Sequence, residues 1–114
     1  MIETPLALPC GARITNRICK AAMTEGLADP SGQPTEALNQ LYGLWSDGGA
    51  GLLLSGNVQI DALHLERPGN VVVEDEPSER MQEALAAWAA AGTRAGNHFW
   101  AQISHAGRQC QKIV

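Results

Sequence analysis

Gly51-Leu52-Leu53-Leu54-Ser55 decides the fold. The run is continuously apolar and lies between the turn formers Gly48-Gly49 and Gly56-Asn57. Apolar side chains on both faces of a strand need cover on both, as in the parallel sheet of an α/β protein. The segment before it, residues 35–48, reads as a helix. Leu38, Leu41, Tyr42 and Trp45 fall at i, i+3, i+4 and i+7, one face of a 3.6-residue period. Thr35 can cap that helix, Glu36 suits the positive end of its dipole, and Gly48-Gly49 stops it.

Downstream, residues 57–74 read as a long connection containing Arg67-Pro68-Gly69, and long connections in small domains are often functional. Residues 76–95 then read as a second helix that Gly96 ends. Glu74, Asp75 and Glu76 lead into it, and Met81, Leu85, Trp88 and Gly92 form a stripe suited to core packing. His98-Phe99-Trp100-Ala101-Gln102-Ile103 reads as a further strand. Upstream, residues 24–34 form a loop around Asp29-Pro30-Ser31-Gly32, and residues 18–23 form a first strand, although alanine is a poor strand former. Residues 6–17 give two short extended pieces about the turn Pro9-Cys10-Gly11. Strand, helix, strand, helix, strand is the order of an α/β fold with parallel strands and right-handed crossovers. No repeat, low-complexity tract or linker divides the chain.

At 114 residues the chain suits one small domain, and 45% hydrophobic with 18% charged residues excludes a disordered one. A net charge of -4, from 8 basic and 12 acidic side chains, argues against a nucleic-acid surface but leaves a local phosphate site open. Cys10, Cys19 and Cys110 match no zinc or redox spacing; they read as reduced thiols, one or two of them buried as small hydrophobes. Met1-Ile2-Glu3-Thr4-Pro5 lacks the pattern of a signal peptide, and the longest apolar run, residues 84–91, is far short of the roughly 20 residues of a membrane span. The expectation is a cytoplasmic protein with neither membrane nor nucleic acid as partner.

Parallel α/β sheets bind ligands beyond the carboxyl ends of their strands. Those ends are Ala22-Met23-Thr24, Ser55-Gly56-Asn57, and Gln102 running into Ser104-His105-Ala106-Gly107-Arg108. The groups suit a flat heteroaromatic ligand: a hydroxyl on Thr24, a donor–acceptor amide on Gln102, a backbone without Cβ at Gly56, and room beside Ala21 and Ala22. A strand-end Thr or Gly can equally do no more than start a loop. His105, with no Cys, Asp or Glu at ligand spacing, reads as fixing its loop, and His64 and His98 as incidental. Arg108 suits an anion or a loop anchor equally. No metal site and no catalytic side chain is expected. Gly-x-Ser-x-Gly, Walker and His-Glu-x-x-His motifs are absent from the sequence. Gly48-Gly49-Ala50-Gly51 precedes its strand and lacks the last glycine of a dinucleotide loop.

Three segments carry a resemblance. Asn16-Arg17-Ile18, Ala21 and Met23-Thr24 resemble the old yellow enzyme signature Asn-Arg-Ile-(two residues)-Ala-Pro-Met-Thr, with Ala22 in place of proline. The stretch from Gly48 through Val58 resembles the family's second-strand segment. Gln102-Ile103-Ser104-His105-Ala106-Gly107-Arg108 resembles its Gln-Leu-x-His-Ala-Gly-Arg motif. The resemblance implies the N-terminal part, about three strands and two helices, of a (β/α)8 TIM barrel. It also implies FMN at the strand ends, NAD(P)H as reductant, and hydride transfer to a small-molecule acceptor such as an electron-poor alkene. Backbone at Ala21, Ala22 and Met23 would line the flavin, Thr24 would tune it, Gly56 would offer an amide to the ring, and Gln102 would bind the pyrimidine side. Ala22 would leave that loop less rigid than proline.

A TIM barrel needs about 250 residues. Residues 1–114 are therefore expected to be an incomplete segment, inactive alone. By the resemblance, the residues gripping substrate activating group and phosphate lie beyond it. Exposed parallel edges favour association, so the alternative is a non-catalytic module that pairs with a complementing barrel fragment or with itself as a homo-oligomer. A stand-alone nucleotide-binding domain lacks its phosphate loop here.

Overall fold

A computed structural model describes residues 1–112; Ile113 and Val114 lie outside the described residues. The chain opens with an antiparallel hairpin, β1 (Leu6–Ala7) and β2 (Arg13–Ile14), as the turn at Pro9-Cys10-Gly11 requires. Then come β3 (Cys19–Lys20), α1 (Glu36–Asp47), β4 (Leu52–Gln59), β5 (Val71–Val72), α2 (Glu79–Gly92), β6 (His98–Ser104) and a 3-10 turn, Gly107–Gln109. β4 is the centre. It pairs in parallel with β6 along one edge, and on the other with β3 at Leu52 and Leu53 and β5 at Val58 and Gln59. The parallel α/β architecture is as expected.

Both helices pack on one face of the sheet. Leu38 and Tyr42 of α1, Leu53 and Val58 of β4, Val71, and Met81 and Trp88 of α2 form one buried cluster. The Tyr42 ring lies 4.7 Å from Phe99, 4.9 Å from Trp45 and 5.2 Å from Trp88 between centroids. The Trp45 and Trp88 contacts are edge-to-face and the Phe99 contact is tilted; aromatic pairs add roughly 0.5–1.5 kcal/mol each beyond area burial. The stripe at Met81, Leu85, Trp88 and Gly92 is core packing, as its period implied. Gly92 is required there because a Cβ would run into the Phe99 ring. Lys20 lays its ammonium over Trp45 at 4.4 Å, and burial pushes its pKa below the ordinary lysine value, with Glu25 and Cys19 opposing.

The hairpin segment closes against the start of β4, where a Cβ on Gly51 would meet Ile14 and Asn16. The Asn16 carbonyl oxygen accepts from the amides of Gly51 (2.8 Å) and Ile18 (3.0 Å), and its Nδ2 donates to the Gly49 carbonyl (2.8 Å). One side chain thus ties the segment before β3 to the turn before β4.

Several boundaries differ from the sequence expectation, each for a physical reason. β3 is two residues long instead of six, because β4 pairs with it only at Cys19 and Lys20; residues 21–27 leave the sheet. β4 runs to Gln59, carried past Gly56 by a register shift between Leu54 and Asn57 and by renewed pairing with β6. The long connection contains the unforeseen β5. Thr35 precedes α1, but its hydroxyl donates to the Leu27 carbonyl (2.6 Å) and caps nothing. α2 starts three residues late, behind Pro77, where Ser78 accepts from the Met81 amide at 3.2 Å. It ends at Gly92, whose carbonyl accepts from Asn97, so Gly96 is not its stop. Cys10 and Cys19 are exposed and Cys110 is half-buried, all free, so none is a buried hydrophobe.

Leu53, with no exposed surface, stands at the crossing of β4 with both helices. Leu53→Ala should lower the unfolding free energy by about 2–5 kcal/mol in a denaturant titration. Leu63→Ala, at a side chain 80% exposed, should change it by no more than about 0.5 kcal/mol.

Candidate functional site

Because β3, β4 and β6 are parallel, their carboxyl ends share one side of the sheet. A row of polar side chains crosses it. The Thr24 hydroxyl donates to Glu66 Oε2 at 3.0 Å, and Asn57 Nδ2 donates to the same oxygen at 3.2 Å. Asn57 Oδ1 in turn accepts from Gln102 Nε2 at 2.6 Å. Thr24, in the extended chain past β3, and Gln102, near the end of β6, are thus joined through two residues between them. Asn57 follows from the strand end. Glu66 gave no sequence signal, since it sits mid-way along the β4–β5 connection and reaches the row only because that loop folds back over the sheet.

Behind the row lies a second, more buried set of contacts. The Tyr42 hydroxyl donates to Glu25 Oε1 in a short hydrogen bond. The Gly56 amide donates to both Glu25 Oε1 and the Tyr42 oxygen, each at 3.1 Å. Burial, then the hydrogen bond and charge of Glu25, push the Tyr42 phenol far above its ordinary pKa, so it is a fixed donor. This corrects the expectation for Gly56: its amide is committed inside the protein and is not offered to a ring. The absence of a side chain is still required, because a Cβ would stand 2.5 Å from the Met23 carbonyl oxygen and collide with Glu25.

Ala21 and Met23 are exposed and Ala22 and Thr24 half-buried, in extended chain beside the row. Gln102 is exposed, and its side-chain oxygen has no hydrogen bond among the described residues. An amide with one acceptor so placed suits the imide edge of a pyrimidine, which carries carbonyl oxygens and an N–H. The small residues leave a flat approach. Thr24, Gln102 and the backbone at residues 21–23 therefore fit a flavin ring, while Gly56 serves the shelf beneath it. Two open hollows lie elsewhere, over Val72 beside Ser31 and Ala62, and neither contains any of these residues.

The histidines also depart from expectation. His105 has a carboxylate neighbour that spacing concealed: its Nε2 lies 3.4 Å from Asp61 Oδ2, and His64 Nδ1 lies 2.6 Å from the same oxygen. His64 is therefore not incidental. His98 accepts or donates nothing at the site; its Nε2 faces the Arg13 carbonyl at 3.1 Å. Arg108 is exposed in the 3-10 turn.

No protein-family model matches the chain. It is similar to the NADH-dependent flavin oxidoreductase iliE of Neonectria sp., 39% identical over 106 residues, covering 92% of this chain and 14% of the relative. A second relative of that name, from Hypocrea jecorina, is 32% identical over 107 residues, covering 93% of this chain and 27% of the relative. Among solved structures, the old yellow enzyme homologue from Zymomonas mobilis superposes with a TM-score of 0.74 at 27% identity, over 91% of this chain and 28% of that one. The resemblance to the old yellow enzyme family holds. Morphinone reductase, 21% identical, shares the fold with a TM-score of 0.81 over 96% of this chain and 28% of its own. The α/β architecture is that of part of an old yellow enzyme barrel, and the chain spans between about a seventh and just over a quarter of the length of these relatives.

Gly56→Ala should displace the turn at Met23 and Glu25, at a cost of about 1–3 kcal/mol in stability. Amide chemical shifts at residues 23–25 that match the wild type would contradict the packing described.

Proposed function

We propose that this chain forms part of the flavin site of an FMN-dependent oxidoreductase that takes hydride from NAD(P)H and delivers it to an electron-poor alkene or related small acceptor. Turnover is expected only of the complete barrel. The observation that carries the reading is the Thr24–Glu66–Asn57–Gln102 row at the carboxyl ends of parallel strands, beside exposed Ala21 and Met23. Similarity to two NADH-dependent flavin oxidoreductases supports it.

A flavin bound on this shelf supplies the redox chemistry, and the protein orients and tunes it. Gln102 binds the pyrimidine edge by pairing its carbonyl oxygen with an N–H. The backbone at Ala21, Ala22 and Met23 borders the ring. The Thr24 hydroxyl donates to Glu66, and its oxygen keeps two lone pairs for accepting. Glu66 and Asn57 hold Thr24 and Gln102 in place. Gly56 acts underneath, by letting the turn at Met23 seat closely.

A second reading has one observation in its favour: the β6 side chains Trp100 and Ile103 are 41% and 65% exposed. On that reading the chain pairs through β6 with a complementing barrel fragment or a copy of itself, and a clean monomer by size-exclusion chromatography would count against it.

The flavin reading is tested by titrating the chain with FMN and with riboflavin and following flavin fluorescence. Saturable quenching is expected, equal for the two ligands because ring contacts carry it. Gln102→Ala should weaken it by about 5–10-fold, the worth of one hydrogen bond. Quenching that is absent, or untouched by Gln102→Ala, would contradict the assignment.

A further inference from the structure

Asp61, His64 and His105 each offer one ligand atom, and those atoms all lie within 4.8 Å of one another. The cluster stands apart from the Thr24–Gln102 row and does not rest on the flavin reading. We propose that it is a binding site for a first-row divalent cation of the zinc class. Two imidazoles and one carboxylate are the donors such ions favour, and three protein ligands leave a position open to water or an exogenous group.

The arrangement is built by the sheet. The Ile60 amide donates to the Ser104 carbonyl at 3.2 Å, the last bond between the β4 and β6 ends, so that Asp61 and His105 leave side by side. Asp61 Oδ1 accepts from the Leu63 amide at 2.8 Å, which turns the carboxylate and leaves Oδ2 facing both imidazoles. That amide is the kind of outer partner that orients a ligating carboxylate. The same turn brings His64 back onto Asp61, with its ring 5.7 Å from that of His105 and 29° from parallel.

Ligand atoms about 2.1 Å from a tetrahedral ion stand roughly 3.4 Å apart. The Asp61–His105 separation of 3.4 Å already fits. The Asp61–His64 pair, at 2.6 Å, must open by less than an ångström, and both side chains have room: they are 32% and 53% exposed. His64, whose Nδ1–H donates to the Asp61 carboxylate, must shift its proton to Nε2, and His105 must change tautomer too. Its Nδ1 accepts from the Gly107 amide at 2.9 Å, which keeps the proton on Nε2. A cation on Nε2 moves that proton to Nδ1, and the exposed Gly107 amide turns to water. Bound ion would clip the β4–β5 connection to the segment after β6.

The probe is Zn2+, titrated calorimetrically into the chain under reducing conditions at a pH where imidazole is neutral. One equivalent is expected, with a rise in Tm that chelator reverses and a shift of the Gly107 amide resonance. His64→Gln and His105→Gln should each weaken binding by at least about 10-fold while leaving the circular dichroism spectrum unchanged. Cys110, whose Sγ lies 4.0 Å from the Leu63 carbonyl, is the nearby thiol that Zn2+ would otherwise choose. Cys110→Ser should therefore leave the affinity within a factor of two. Binding retained in both histidine variants, or lost in Cys110→Ser alone, would overturn the assignment. So would the absence of binding to the wild-type chain.

Discussion

Tyr42 is the contact on which the remaining arrangement depends. Its side chain has no exposed surface. Its ring meets Trp45 of its own helix, Trp88 of α2 and Phe99 of β6, so one aromatic side chain holds both helices to the sheet. Its hydroxyl reaches past the core to Glu25 and Gly56, at the carboxyl ends of the strands. A buried hydroxyl is tolerable only if bonded, and here the half-buried Glu25 carboxylate accepts from it, with the Gly56 amide completing the set. Packing and site are therefore one structure: what fixes α1 on the sheet also fixes the turn that carries Met23 and Thr24.

That dependence explains what could be read in advance. The apolar run at Leu52-Leu53-Leu54 and the helical periods at Leu38–Trp45 and Met81–Gly92 are local signals, and the parallel α/β order followed from them. Tyr42 was legible as a face residue of α1, but its hydroxyl was not, because Glu25 lies in an irregular loop 17 positions away. The same limit hid Gly56. A strand-end glycine looks like space for a ligand, and only the fold shows that the space is taken by the Met23 carbonyl and Glu25. The three motifs take part in different contacts. Asn16 is a clamp for the hairpin, Thr24 and Gln102 belong to the polar row with Glu66 and Asn57, and His105 faces Asp61.

The loops hold the rest. The β4–β5 connection has no periodicity to betray its path, yet it delivers Glu66 to Thr24 and Asn57, and Asp61 and His64 to His105. A connection that returns over the ends of parallel strands places polar groups where ligands bind in such folds. Its length therefore carried more functional information than any single residue in it.

The most direct test of this account is hydrogen exchange at the Gly56 amide, compared between the wild-type chain and Tyr42→Phe. Gly56 should be protected in the wild type, because its amide is buried and bonded to Glu25 and Tyr42. In Tyr42→Phe its exchange should accelerate by about 10-fold or more, the β4 amides paired with β6 changing less. A Gly56 amide that exchanges as freely as a loop amide in the wild type, or equally fast in both proteins, would contradict the claim that Tyr42 joins the core to the strand ends.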